Sequence, residues 1–190
     1  MDYILSFAGY EAKIDDSWGA DIMYLRYNGQ DILYPIESKT ERADPPYLHG
    51  APLLLPSNRT IGGKFSFEGQ KYTLPVNEEE TGCHLHGLLY NKPFQTRCAT
   101  RQRWEGSYIN SGEAYPFPYR VDVNYEITEG GFFSRYAITN TGSTPMPVTF
   151  GLHTTFASCG DFSVPLGEFQ ACNGSPVPTD RYLPLTPDLQ

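Results

Sequence analysis

Alternation of apolar and polar residues carries most of the structural signal in this 190-residue chain. From Tyr119 to Thr128, Val121, Val123, Tyr125 and Ile127 alternate with Arg120, Asp122, Asn124 and Glu126. A period of two sustained over such a stretch is that of a strand with one face buried and one in water. Glu129-Gly130-Gly131 then turns the chain, and Phe132 to Thr139 returns. Asn140-Thr141-Gly142 turns it again, ahead of an apolar strand from Pro147 to His153. Upstream, the β-rich run Asp21 to Tyr27 ends at Asn28-Gly29, a strong hairpin turn, and Gln30 to Tyr34 reads as its return strand. Lys64 to Phe67 and Gln70 to Leu74 flank Glu68-Gly69 as a second hairpin. No long window keeps a helical period without a breaker. The pattern predicts roughly a dozen short strands, almost no helix, and an all-β antiparallel sandwich or barrel. Two stretches fall outside it. Glu37 to Pro56 is loop-rich around Asp44-Pro45-Pro46, and Asn173 to Asp188, with Pro176, Pro178, Pro184 and Pro187, reads as a connector.

Composition sharpens this picture. The length suits one domain, 1–190, able to bury roughly 70% of its unfolded surface. Gly (18) and Pro (16) are abundant, which fits many turns. With 14 Tyr, 11 Phe, 2 Trp and only 19% charged residues, the chain is too aromatic and too weakly charged for disorder. No uncharged apolar run approaches the ~18 residues of a transmembrane helix, so no membrane association is expected. A net charge of −8 and no basic run make nucleic acid a poor partner. Tyr and Trp suit sugars, whose C–H faces pack on rings while their hydroxyls need polar partners. The start, Met1-Asp2-Tyr3-Ile4-Leu5, lacks the features of a signal peptide. Cys83, Cys98, Cys159 and Cys172 form no C-x-x-C pair. Reduced thiols and a cytoplasmic location are expected.

Four histidines are few enough to weigh singly. His84 and His86 are two apart and share a face if the chain is extended there. A metal pair of the cupin kind needs a Glu three or four residues later, where this chain has Leu89 and Tyr90. The other readings are a structural histidine beside an exposed one, or His86 as a hydrogen-bond donor to a polar ligand. His153 ends an apolar run and reads as a core or rim residue, or as a general acid. Asn58-Arg59 reads as a solvated turn, or as a guanidinium fork reaching a ligand oxygen.

Taken in order, these pieces resemble the aldose 1-epimerase (galactose mutarotase) family. The resemblance rests on Pro56-Ser57-Asn58-Arg59, Gly63-Lys64-Phe65, Gly69 to Asn77 and Leu85-His86-Gly87. It continues through Tyr115 to Tyr119, Val123 to Ile127, Ile138 to Gly142, Pro145 to Val148 and Gly151-Leu152-His153-Thr154-Thr155-Phe156. It implies a galactose mutarotase-like supersandwich with an open sugar cleft, and interconversion of the α and β anomers of a free aldose. A Glu takes the C1 hydroxyl proton, a His protonates the ring oxygen, the ring opens, C1 rotates and the ring recloses. Carried over, His153 is the catalytic general acid, and Asn58, Arg59 and His86 bind and polarise the sugar. No metal or organic cofactor is implied. Where the family commonly reads His-Pro-Tyr-Phe, this chain has Thr154 and Thr155. The family's substrate-binding Asp and general-base Glu lie in a C-terminal part, and Leu185 to Gln190 is expected to stop just before it, so the alternative reading is a catalytically impaired carbohydrate-binding module that lacks the general-base Glu. Glu113 and Glu126 take no base role from spacing. A sandwich truncated in this way exposes strand edges, so a homodimer formed by edge pairing or sheet packing is expected.

Overall fold

The computed structural model describes residues 1–36, 46–157, 167–172 and 176–185. The chain opens with a meander of β1 (Asp2–Phe7), β2 (Tyr10–Asp15), β3 (Asp21–Tyr27) and β4 (Gln30–Asp31), which form one antiparallel sheet in that order. Asn28-Gly29 makes the β3–β4 turn with positive φ at both residues (49° and 80°). That geometry matches the twist of the flanking strands, and Asn and Gly tolerate it best. The return strand is shorter than Gln30 to Tyr34. After Asp31 the chain leaves the ladder, and Leu33 bridges to Phe156 instead.

Short paired segments come next: β5 (Leu53–Leu54), β6 (Arg59–Ile61), the hairpin of β7 (Lys64–Phe67) and β8 (Gln70–Thr73), and β9 (Cys83–Leu85). A 3₁₀ turn spans Leu89–Asn91. The second large sheet is β10 (Gln95–Ala99), β11 (Arg103–Asn110), β12 (Tyr119–Thr128) and β13 (Gly131–Asn140), again antiparallel and in chain order. β12 realises the alternation of its sequence. Tyr119, Val121, Val123, Tyr125 and Ile127 are buried, while Arg120 pairs with Asp122 at 2.7 Å and Glu126 with Arg135 at 3.1 Å on the other face.

The two sheets pack on each other as a β-sandwich. Trp104 and Tyr125 stack with ring centroids 5.7 Å apart, and Tyr3 of the first sheet lies 6.3 Å from Trp104. The buried Tyr125 hydroxyl crosses the interface and donates to Ala20 O at 2.9 Å, so its polar end is satisfied inside an apolar core. The Ser6 N–H donates to Arg101 O at 2.7 Å.

Three expectations need correcting. Of Pro147 to His153, β14 (Gly151–Leu152) alone is strand. Pro145 and Pro147 lack the N–H groups a ladder needs. The Asn173 to Asp188 stretch is not a plain connector, because β16 (Pro178–Pro184) pairs with β15 (Glu168–Cys172). Pro178 and Pro184 stand at the strand's two ends, where a missing donor is tolerated. His84 and His86 do not share a face. His86 has φ +61°, which ends the strand alternation between them. Cys83, Cys98 and Cys172 are free thiols, and Cys159 lies outside the described residues. Among the described residues no helix is long and apolar enough to cross a membrane.

Candidate functional site

Two short ladders bring distant segments together. β6 pairs with β9, setting Arg59 opposite Leu85. Just outside this ladder Asn58 and His86 face each other, and both have positive φ (66° and 61°). The His86 N–H donates to Asn58 O at 3.0 Å, and the Asn58 N–H donates to His86 Nδ1 at 3.2 Å. Leu55 bridges to Gly87 beside them. β5 pairs with β14, and the His153 N–H donates to Pro52 O at 3.1 Å. The β5-to-β6 segment thus holds the Asn58–His86 pair on one side and His153 on the other. The His86 and His153 rings meet edge to face with centroids 5.3 Å apart.

Tyr47 closes the cluster. Its ring lies 4.8 Å from His86, 6.1 Å from His153 and 4.9 Å from Tyr90, and Trp18 stands 6.5 Å beyond Tyr90. Its hydroxyl donates to Leu85 O at 3.4 Å. Burial, with Tyr90 beside it, pushes the Tyr47 phenol well above its ordinary range.

The hydrogen bond from Asn58 fixes the state of His86. A ring nitrogen that accepts from an amide carries no proton, so the neutral ring is protonated at Nε2 and presents that N–H as a donor. Burial depresses the His86 pKa to about 4, helped by the His153 ring and the Arg59 charge and opposed by Glu78. His86 is therefore an uncharged donor at neutral pH.

Arg59 is held by a fork. Its Nε donates to Glu78 Oε2 and its Nη2 to Glu78 Oε1, both at 2.7 Å. Two parallel charge-assisted bonds fix the plane of the guanidinium. The Arg59 fork, with the Thr81 hydroxyl also donating, holds the Glu78 carboxyl at about 2, and Glu78 in turn raises the pKa of Arg59. The loop carrying Glu78 is pinned to β9 by Asn77, whose amide donates to Leu85 O at 2.9 Å and whose Oδ1 accepts from Leu85 N–H at 2.6 Å.

The four residues singled out from sequence, Asn58, Arg59, His86 and His153, thus come together from segments 95 positions apart at the extremes. Tyr47, Tyr90 and Glu78 are the additions. His84 stays apart: it is fully buried and its Nδ1 lies 2.6 Å from Pro75 O. Among the described residues no three His, Cys, Asp or Glu side chains converge to hold a metal ion. Glu113 and Glu126 are engaged elsewhere, Glu113 accepting from Tyr108 OH at 2.6 Å and Glu126 pairing with Arg135.

The chain is 27% identical over 149 residues to the uncharacterized protein YihR of Escherichia coli, covering 77% of this chain and 47% of that one. It is 25% identical over 181 residues to galactose mutarotase of Rattus norvegicus, covering 91% and 51%. The chain therefore spans about half the length of the curated relatives it matches. A crystal structure of a galactose mutarotase-like protein from Clostridium acetobutylicum superposes with TM-score 0.86 at 22% identity, covering 98% of this chain and 62% of the other. A GalM/aldose epimerase homologue from C. elegans gives 0.82 at 18% identity, with the same coverages. These likenesses show a galactose mutarotase-like fold. The aldose 1-epimerase family model matches residues 3–189, and the chain belongs to that family.

Proposed function

We propose that the Asn58–Arg59–His86–His153 cluster is a sugar site that promotes interconversion of the anomers of a free aldose. The observation that carries this reading is the edge contact of His86 and His153, 5.3 Å apart. One of the rings is fixed as a neutral donor by Asn58. A fixed N–H donor beside a second imidazole suits a substrate whose ring oxygen must be polarised and protonated. In this assignment His153 is the general acid, His86 and Arg59 donate to sugar oxygens, and Asn58 orients His86. Tyr47 and Tyr90 supply the aromatic wall on which a sugar's C–H face packs.

Among the described residues Glu78 is the carboxylate whose charge is felt at His86, and it is a poor base. Both of its oxygens are taken by Arg59 and its pKa is about 2. This favours a second element of the reading, in which these residues bind and protonate the sugar but supply no base. Loss of one proton-transfer partner costs roughly 10²- to 10⁴-fold. Polarimetry on freshly dissolved α-glucose or α-galactose tests both points. The expected result is weak acceleration over the spontaneous reaction, abolished by His153→Ala. Strong acceleration that survives that substitution would contradict the assignment. Assembly through the open edge of β13, which has one ladder neighbour among the described strands, is proposed alongside, and light scattering reads it.

A further inference from the structure

Glu78 does more than tie a loop to a strand. It meets Arg59 through both carboxylate oxygens at 2.7 Å, and the two side chains are each about one-fifth exposed. A guanidinium paired in this way presents N–H donors to a ligand but little net charge. Among the described residues the groove beside the clamp supplies no replacement cation. His86 is neutral, Glu79 and Glu80 follow Glu78 directly, and the protein carries −8 overall. The groove of about 500 Å³ on the Thr81 flank of the clamp, reaching β16, is lined by Asp180 and by no Lys or Arg among its described residues.

We propose that Glu78 is a specificity-determining residue of this site: by clamping Arg59 through both oxygens it cancels the guanidinium charge, so that the site takes neutral sugars and rejects anionic ones such as sugar phosphates and uronates. This rests on reading the cluster as a sugar site and goes on to name the residue that sets its charge preference. Arg59 alone leaves the matter open, because one guanidinium serves a phosphate or a hydroxyl equally well. The carboxylate opposite it decides. The clamp also aims Arg59, so Glu78 positions the donor as well as neutralising it.

The test uses the whole chain, with Glu78→Gln and Glu78→Asp, followed by NMR at the Arg59 side chain and the His86 ring. Inorganic phosphate, glucose and glucose 6-phosphate are the probes. Glu78→Gln removes the charge, and is expected to bind phosphate and glucose 6-phosphate at least about tenfold more tightly than the wild type. Glu78→Asp keeps the charge but shortens the reach. It is expected to reject phosphate as the wild type does while binding glucose more weakly, because Arg59 is no longer aimed. A merely structural Glu78 would leave phosphate affinity unmoved in folded Glu78→Gln, and that result overturns the proposal. Should Glu78→Gln fail to fold, the wild type still decides, since glucose 6-phosphate binding at Arg59 as tightly as glucose also overturns it. The phosphate arm reads Glu78 whether or not a sugar binds. Absence of any glucose response at His86 and His153 would instead sink the sugar-site reading.

Discussion

Protonating His86 should destabilise the fold, and the structure sets the sign and size of the effect. The ring is half-buried against Tyr47 and His153, near the Arg59 charge, and its Nδ1 accepts from the Asn58 N–H. A proton on Nδ1 would break that bond and turn two N–H groups toward each other. The folded ring titrates at about 4, against about 6.5 in an unfolded chain. Stability is therefore complete above about pH 6.5 and is lost as pH falls toward 4, where the unfolded ring takes up a proton that the folded one refuses. A fully shielded ring would contribute about 3 kcal/mol over that window, and solvent screening of a half-buried one reduces this to about 1–2 kcal/mol. His84, also buried and depressed, adds to the loss in the same direction, so a variant must isolate His86. His86→Asn is suitable, because Asn tolerates positive φ and its amide oxygen can accept from Asn58. Urea denaturation at about pH 7.5 and about pH 5 should show the wild type losing about 1 kcal/mol more than His86→Asn. Equal losses in the two proteins, or a His86 ring titrating at its ordinary value by NMR, would show that protonating His86 does not destabilise the fold.

Two further outcomes follow from single residues. Asn110 is fully buried and holds the Tyr115–Phe117 loop through bonds of 2.7 Å to Tyr115 O, 2.8 Å to Phe117 O and 2.8 Å from the Ala114 N–H, so Asn110→Ala should cost about 3 kcal/mol or more in denaturant unfolding. Gly87 has φ +68°, and a Cβ there would lie 2.0 Å from Leu55 O, so Gly87→Ala should cost more than about 3 kcal/mol and move His86 out of contact with His153 in the ring NMR signals.

The sequence was most readable where burial is one-sided. β12 alternates because one face is buried against the first sheet's side of the sandwich, where Tyr125 donates to Ala20 O, and the other meets water, so its ends at Tyr119 and Thr128 fell where the pattern put them. The Asn28-Gly29 and Glu68-Gly69 turns were legible because their positive φ values favour few residues. The β15–β16 hairpin was hidden by its prolines, which mark strand ends here and not loop. At the site, Asn58, Arg59, His86 and His153 were legible through the order of their motifs. Tyr47 was not, because it comes from a Pro-flanked loop without periodicity and reaches the histidines only through tertiary packing. Glu78 opens a run of three glutamates, a pattern that reads as a solvated surface, and only the tertiary fold pairs it with Arg59. The alternation rule failed between His84 and His86 because it assumes extended backbone, which the φ of His86 does not keep.

In the sugar-site reading, His86 and His153 face one sugar together. Titrating the whole chain with glucose or galactose while following both imidazoles by NMR tests it most directly. The two rings are expected to shift along a single saturation curve, which Arg59→Ala weakens for both. Rings that stay unmoved while other residues respond, or that follow two different curves, would contradict it.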